Sequence, residues 1–147
     1  MSVSLKDWLK KGWLVEHQAS RQKIADLLTV AERDMADCRA EGLSPDWRLN
    51  IAYNAALQLA TAALAAAGYR ATRGAHHYRV IQSLAHTLKA DRSLVAQFDQ
   101  FRKKRNIAGY ERAGMTSDQE AKEMLDLAKR LRPMVVEWLE ATHPELP

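Results

Sequence analysis

SPDWRLNIAYNAALQLATAALAAAG, from Ser44 to Gly68, reads as one helix with both ends marked. Ser44 is placed to cap it, Pro45 fits the first helical position, and Asp46 adds a favourable first-turn charge. Gly68 supplies the stop. Between the ends the segment is apolar on most sides, with alanine at positions 52, 55, 56, 60, 62, 63, 65, 66 and 67. Alanines on several faces let neighbouring helices approach closely, which puts this helix at the centre of the molecule. The stretch from Ile51 to Ala67 is the most membrane-like part of the chain. It is rich in Ala rather than Leu and carries Asn54, Gln58 and Thr61, so it predicts a buried core helix and not a membrane span.

The flanking segments supply the helices that pack around it. Ile24, Leu28, Ala31, Met35 and Cys38 recur in alternating steps of four and three, the seam of a helix that starts near His17 or Ser20 and stops before Gly42. His77, Ile81, Leu84 and Leu88 mark a helix from about Ala75 to Lys89. Asp91 or Ser93 caps the next helix. Thr116 with Gln119 and Ser117 with Glu120 are overlapping capping boxes for a last long helix. Its seam is Ala121, Met124, Ala128, Leu131, Val135 and Trp138, which stays in register across Pro133 and so predicts a bend without a break. Ser4 and Asp7 start a short N-terminal helix that Gly12 interrupts, and residues 143–147 read as a frayed tail. No alternating strand pattern of useful length occurs. The expected fold is all-α, an up-and-down bundle of four to five long helices. It forms one domain over 1–147, with a helical N-terminal extension over about 1–42 and a core over about 45–142.

The 147 residues suffice to bury roughly two-thirds of the surface of the unfolded chain. With 47% apolar and 27% charged residues the composition is that of a globular protein. The single Cys38 excludes an intrachain disulfide and a multi-cysteine zinc site. The N-terminus has no basic region leading into an apolar core, so no signal peptide is expected and cytoplasmic residence is. A net charge of +4 leans toward anionic partners, and its placement matters more than its sum.

That placement is concentrated in Phe98-Asp-Gln-Phe-Arg-Lys-Lys-Arg-Asn-Ile-Ala-Gly-Tyr-Glu-Arg112. Leu94, Phe98 and Phe101 form a helical seam, and Arg105 takes the next place on it, where an apolar residue is due. A guanidinium stranded on a buried stripe costs several kcal/mol, so Arg105 needs a partner or a ligand. Arg102, Asn106 and Tyr110 fall on an adjacent line if the helix runs on, and Gly109 is placed to end it. Arg102, Lys103, Lys104, Arg105 and Arg112 form a basic cluster with Glu111 as its nearby acid. The bland reading is a set of cations complementing a helix C-terminus, each worth about 0.3–1 kcal/mol, with Asn106 and Gly109 as its cap. It fits the Lys103–Lys104 pair better than Arg105. Tyr110 is a poor base, since a phenol of ordinary pKa is ionised at only about one part in a thousand near pH 7. Its hydroxyl can still position a phosphate oxygen.

Other chemistries find little support. His76 and His77 are adjacent, so they diverge by roughly 100° on a helix and do not form a metal pair. His86 is expected on a polar face with Arg79, Gln82 and Lys89. No His-Glu-x-x-His spacing, Gly-rich phosphate loop or nucleophile elbow occurs, and neither a metal nor a cofactor is expected.

Three features together resemble the HEPN family of helical nucleotide- and RNA-handling domains: Trp47-x(5)-Tyr53-Asn54, His76-His77, and Arg105-Asn106-x-x-x-Tyr110. The last is similar to the family's Arg-x(4–6)-His motif, with Tyr110 in the place of the His. The resemblance covers roughly Pro45 to Thr142 and implies an up-and-down bundle that dimerises so that two motifs face one cleft. Active members cleave RNA without a metal, the Arg steadying the scissile phosphate and the His helping the ribose 2′-hydroxyl attack it. Many are toxins paired with a nucleotidyltransferase antitoxin. On that basis Arg105, Asn106 and Tyr110 are the expected catalytic residues, and Arg102, Lys103, Lys104 and Arg112 the expected nucleic-acid contacts. The Tyr-for-His exchange leaves ribonuclease activity open. Two alternatives stand beside RNA or nucleotide binding: a non-catalytic structural or regulatory dimer, antitoxin-like or scaffold, and a DNA-binding regulator. The second is disfavoured because the basic run ends a helix, where a recognition helix reads bases from its start.

Overall fold

The computed structural model describes residues 4–108 and 116–146. Among them lie six helices and two short strands: α1 (Leu5–Lys10), β1 (Leu14–Glu16), α2 (Arg21–Asp37), α3 (Pro45–Ala66), β2 (Tyr69–Ala71), α4 (His76–Thr87), α5 (Arg92–Ala108) and α6 (Asp118–Thr142). The protein is all-α apart from one small ribbon.

α3 is the axis of the packing. It contacts α2, α4, α5 and α6, most extensively α6 and α2. Ala52, Ala55, Ala56, Ala60, Ala62 and Ala63 are fully buried, as is Leu59. Alanines on every side thus serve close helix approach within a single protomer and leave no small-residue face over for a second copy. By length and composition α3 alone among the described helices is apolar enough to cross a membrane, and here most of it is covered by the other helices.

The ends form as their chemistry dictates. Ser44 Oγ accepts from the Trp47 amide at 3.3 Å, and Gly68 takes φ +101° just past the end of α3. Ser4 with Asp7 and Ser117 with Glu120 both close as reciprocal capping boxes. Of the two overlapping boxes at α6, the one on Ser117 forms, while the Thr116 hydroxyl is buried with no hydrogen-bond partner among the described residues. Asp91, not Ser93, caps α5, accepting from the Leu94 amide at 2.9 Å. α6 runs unbroken through Pro133.

Three details correct the seams read from sequence. Leu27 is buried in α2 and Leu28 only half-buried; in α6 Leu139 is buried and Trp138 half-buried. Each shift is one residue, the drift expected when 3.6 residues per turn meet packing from two sides. The third is the ribbon: β1 and β2 pair antiparallel with Leu14 opposite Ala71, Val15 opposite Arg70 and Glu16 opposite Tyr69. Strands of three residues are too short to show a period of two. The pairing ties the N-terminal segment to the chain just after α3, and Trp8, Leu14, Ile24, Ala31 and Met35 belong to the same core cluster as α3 to α6.

Candidate functional site

α4 and α5 both pack on α3, and both seams carry a polar residue at one end. On α5, Leu94, Phe98 and Phe101 are buried as the spacing requires, and Arg105 follows them half-buried. On α4, Ile81 and Leu84 are buried, and His77 precedes them half-buried. The two interruptions meet. A cavity of about 460 Å³ is lined by Arg73, Ala75, His76, His77, Tyr78, Arg102 and Arg105, with no carboxylate among these residues.

Tyr53 of α3 lies behind two of these residues, His77 and Arg105. The ring is buried, packs edge-on against Phe98 with centroids 5.7 Å apart, and carries the Arg105 guanidinium 5.1 Å above it. The Tyr53 hydroxyl lies 3.2 Å from His77 Nδ1. Burial pushes the Tyr53 phenol up to about 12, against the pull of Arg105 and Arg102. Burial, seconded by Arg105, His76 and Arg102, holds His77 below the ordinary imidazole value. Both groups are therefore neutral near pH 7, and the hydrogen bond joins a neutral phenol to a neutral imidazole.

The cations differ in how their charge is used. Arg102 Nε donates to Asp99 at 2.7 Å, and Lys103 lies 3.7 Å from the same carboxylate. Lys104 pairs with Glu120 of α6 at 3.4 Å. Among the described residues the acids that serve the cluster are thus Asp99, one turn back on the same helix, and Glu120 across the bundle; Glu111 lies outside them. Arg105 has no acid partner among the described residues, and its buried Nε has no hydrogen-bond acceptor there. Desolvating that N–H without an acceptor costs energy, and a bound anion supplies the acceptor.

α4 adds a partial positive charge of its own. It begins at His76 after Ala75, whose φ of 52° is left-handed, and no side chain caps its first turn. A non-glycine residue held there costs about 1 kcal/mol or more, and the uncapped amides of a helix start favour an anion.

Of the residues expected from sequence, Arg102 and Arg105 line the cavity. Lys103 is exposed and Lys104 is turned to α6. Asn106 lies within α5, and Tyr110 and Arg112 fall outside the described residues. The expected site omitted Tyr53, Arg73, His76, His77 and Tyr78. His77 and Arg105 each carried a signal, a polar residue where the seam of its own helix called for an apolar one. The features of the resemblance also divide: Tyr53 contacts His77 and Arg105 of this cavity, whereas Asn54 donates to the buried Asp34 of α2 at 2.6 Å and is structural. His86, expected on a polar face, is half-buried with its ring 5.0 Å from Trp8. No group of His, Cys, Asp and Glu suited to a metal ion occurs among the described residues.

A larger cavity, about 590 Å³, lies beside the C-terminal segment. Glu16 and Glu145 are in its lining with His17 and His143, so it lacks the uniform positive charge of the α4–α5 cavity. No family model, curated protein or solved structure matches this chain.

Proposed function

We propose that this protein is a HEPN-like, cytoplasmic homodimer that binds RNA or a nucleotide through its phosphate in the cavity between α4 and α5. The observation that carries the reading is Arg105: a half-buried cation in a cavity lined by Arg73, Arg102 and two histidines, with neither an acid partner nor a carboxylate in the lining among the described residues. A guanidinium presents a planar fork suited to two phosphate oxygens, and a phosphate satisfies both its charge and its stranded N–H.

The proposal includes metal-independent RNA cleavage. Arg105 steadies the phosphate, as the resemblance implies, and the Tyr110 hydroxyl, in the place of the motif's His, donates to it. His77 is the group suited to take the proton of the ribose 2′-hydroxyl as that oxygen bonds to phosphorus and the bond to the 5′-oxygen breaks, the leaving 5′-oxygen taking a proton from solvent. Held below its ordinary pKa, its imidazole is unprotonated near pH 7. In the tautomer whose Nδ1–H donates to Tyr53, Nε2 is left free to accept. The family reading adds a nucleotidyltransferase antitoxin as partner; a gene for such a protein beside this one would support it.

A second reading, a non-catalytic structural dimer, draws on the contact of Arg105 with the Tyr53 ring, since a cation over an aromatic face is also a packing device. Fluorescence anisotropy with a labelled single-stranded RNA separates the two. Phosphate binding predicts that Arg105→Lys, which keeps the charge and loses the fork, weakens affinity by roughly tenfold, while Lys103→Arg changes it little. Equal affinities for wild type and Arg105→Lys would favour the structural reading.

A further inference from the structure

Tyr78 and Trp47 are the large apolar side chains that stand out from the surface of the described residues, 39% and 62% exposed. Trp47 lies at the start of α3, away from the cavity lining. Tyr78 is part of that lining. It does not belong to the α4 seam; it shares a line with the half-buried Gln82 and the exposed Ala85. Core packing therefore gives no account of its ring. Among the described residues its ring lies beside Arg102, whose guanidinium carbon is 5.4 Å from the ring centre while Asp99 holds its Nε. The cavity thus offers two chemistries side by side: arginines suited to a phosphate, and an exposed aromatic face stiffened by a tethered cation.

A bare inorganic anion uses only the first. An unpaired nucleotide uses both, because its base carries a flat π-face that stacks on an aromatic ring whatever its sequence. In a duplex each base is already stacked between its neighbours, and its faces are closed to a side chain. We propose that Tyr78 is a stacking platform for an unpaired nucleobase whose phosphate sits at Arg73, Arg102 and Arg105, so that the cavity selects single-stranded over duplex RNA. This inference rests on the phosphate-cleft reading and adds the substrate class to it.

The test is fluorescence anisotropy on the full chain with three labelled probes: a single-stranded RNA octamer, the same octamer in a duplex, and an abasic octamer that keeps the phosphates and lacks the bases. Wild type is expected to bind the single strand more tightly than either of the others. Tyr78→Leu is expected to weaken the single strand by roughly one to two orders of magnitude, the range for loss of one stacked base, and to leave the abasic probe unchanged. Tyr78→Phe keeps the ring and should stay within about twofold of wild type, with the same salt dependence throughout. Competition by a nucleoside monophosphate tells a single-nucleotide ligand from a longer strand, and under either the Tyr78→Leu loss is required. If wild type binds all three probes equally, or Tyr78→Leu weakens the abasic probe as much as the single strand, stacking is overturned and the phosphate cleft stands. If wild type binds none of the probes at low salt, the cleft reading itself falls.

Discussion

Arg105 and His77 each break the apolar stripe of their own helix, and the two breaks face one cavity over the buried ring of Tyr53. The cost of that arrangement is written in the direction of the His77 shift. A folded-state pKa below the unfolded value means that the unfolded chain binds the proton more readily. Stability is then highest above the unfolded value of about 6.5 and is lost as pH falls through it toward the folded pKa. His86, held down by burial and by Lys89, acts in the same sense. Thermal denaturation followed by circular dichroism should show a midpoint that is flat from pH 7 to 8 and falls below about pH 6.5. His77→Gln should flatten that fall, and an unchanged pH profile in this variant would show that His77 is not the group responsible. At the same residues, cleavage through His77 predicts that His77→Gln abolishes turnover with little change in RNA affinity, since proton transfer matters only in the transition state. Equal losses in both would mark His77 as a binding group.

At the scale of elements, α3 and the α6 start are the two places where one substitution speaks clearly. The fully buried alanines of α3 touch helices on several sides, so a larger side chain has no exposed direction to take. Ala60→Leu should destabilise the protein by about 1–3 kcal/mol or more in urea denaturation, without loss of any polar contact. A neutral result would show that α3 is less closely clasped than its burial indicates. Ser117→Ala removes the α6 cap and should cost about 1 kcal/mol. The residue-117 amide still donates to Glu120 Oε1 in this variant, so Glu120 stays placed for Lys104 and the double variant Ser117→Ala/Lys104→Ala should cost close to the sum of the two single changes.

For the whole molecule the question is where the excess positive charge acts and what the protein joins. If the cavity arginines contact phosphates, log Kd for single-stranded RNA should change with log salt by roughly 0.7 per phosphate engaged. Asp99 and Glu120 already hold Lys103 and Lys104, and Asp99 takes only the Nε of Arg102, so the slope should reflect fewer contacts than the five cations of the cluster. Sedimentation at tens of micromolar should show the homodimer that the shared-cleft reading requires, and a monomer there would remove it. The interface has to use a surface other than the alanines of α3, which are covered within the protomer.

Sequence alone determined the helices, because caps, stops and the 3.6-residue period are local and read within one segment. Ser44, Ser117 and Glu120 act within three residues of themselves, and the buried positions of α3 and α5 follow from spacing. It also singled out Arg105, since one charged residue on an apolar seam is visible without a partner. The ribbon of β1 and β2 was not legible: each strand is three residues, and its hydrogen bonds join segments more than fifty residues apart. The composition of the cavity belongs to the tertiary structure as well. Arg73, His76, His77 and Tyr78 come from α4 and the turn between β2 and α4, and only the packing of α4 and α5 on α3 brings them to Arg102 and Arg105, with Tyr53 of α3 behind His77 and Arg105. Periodicity tells which face of a helix is buried; which two faces meet, and at what height, depends on packing between segments far apart in the chain.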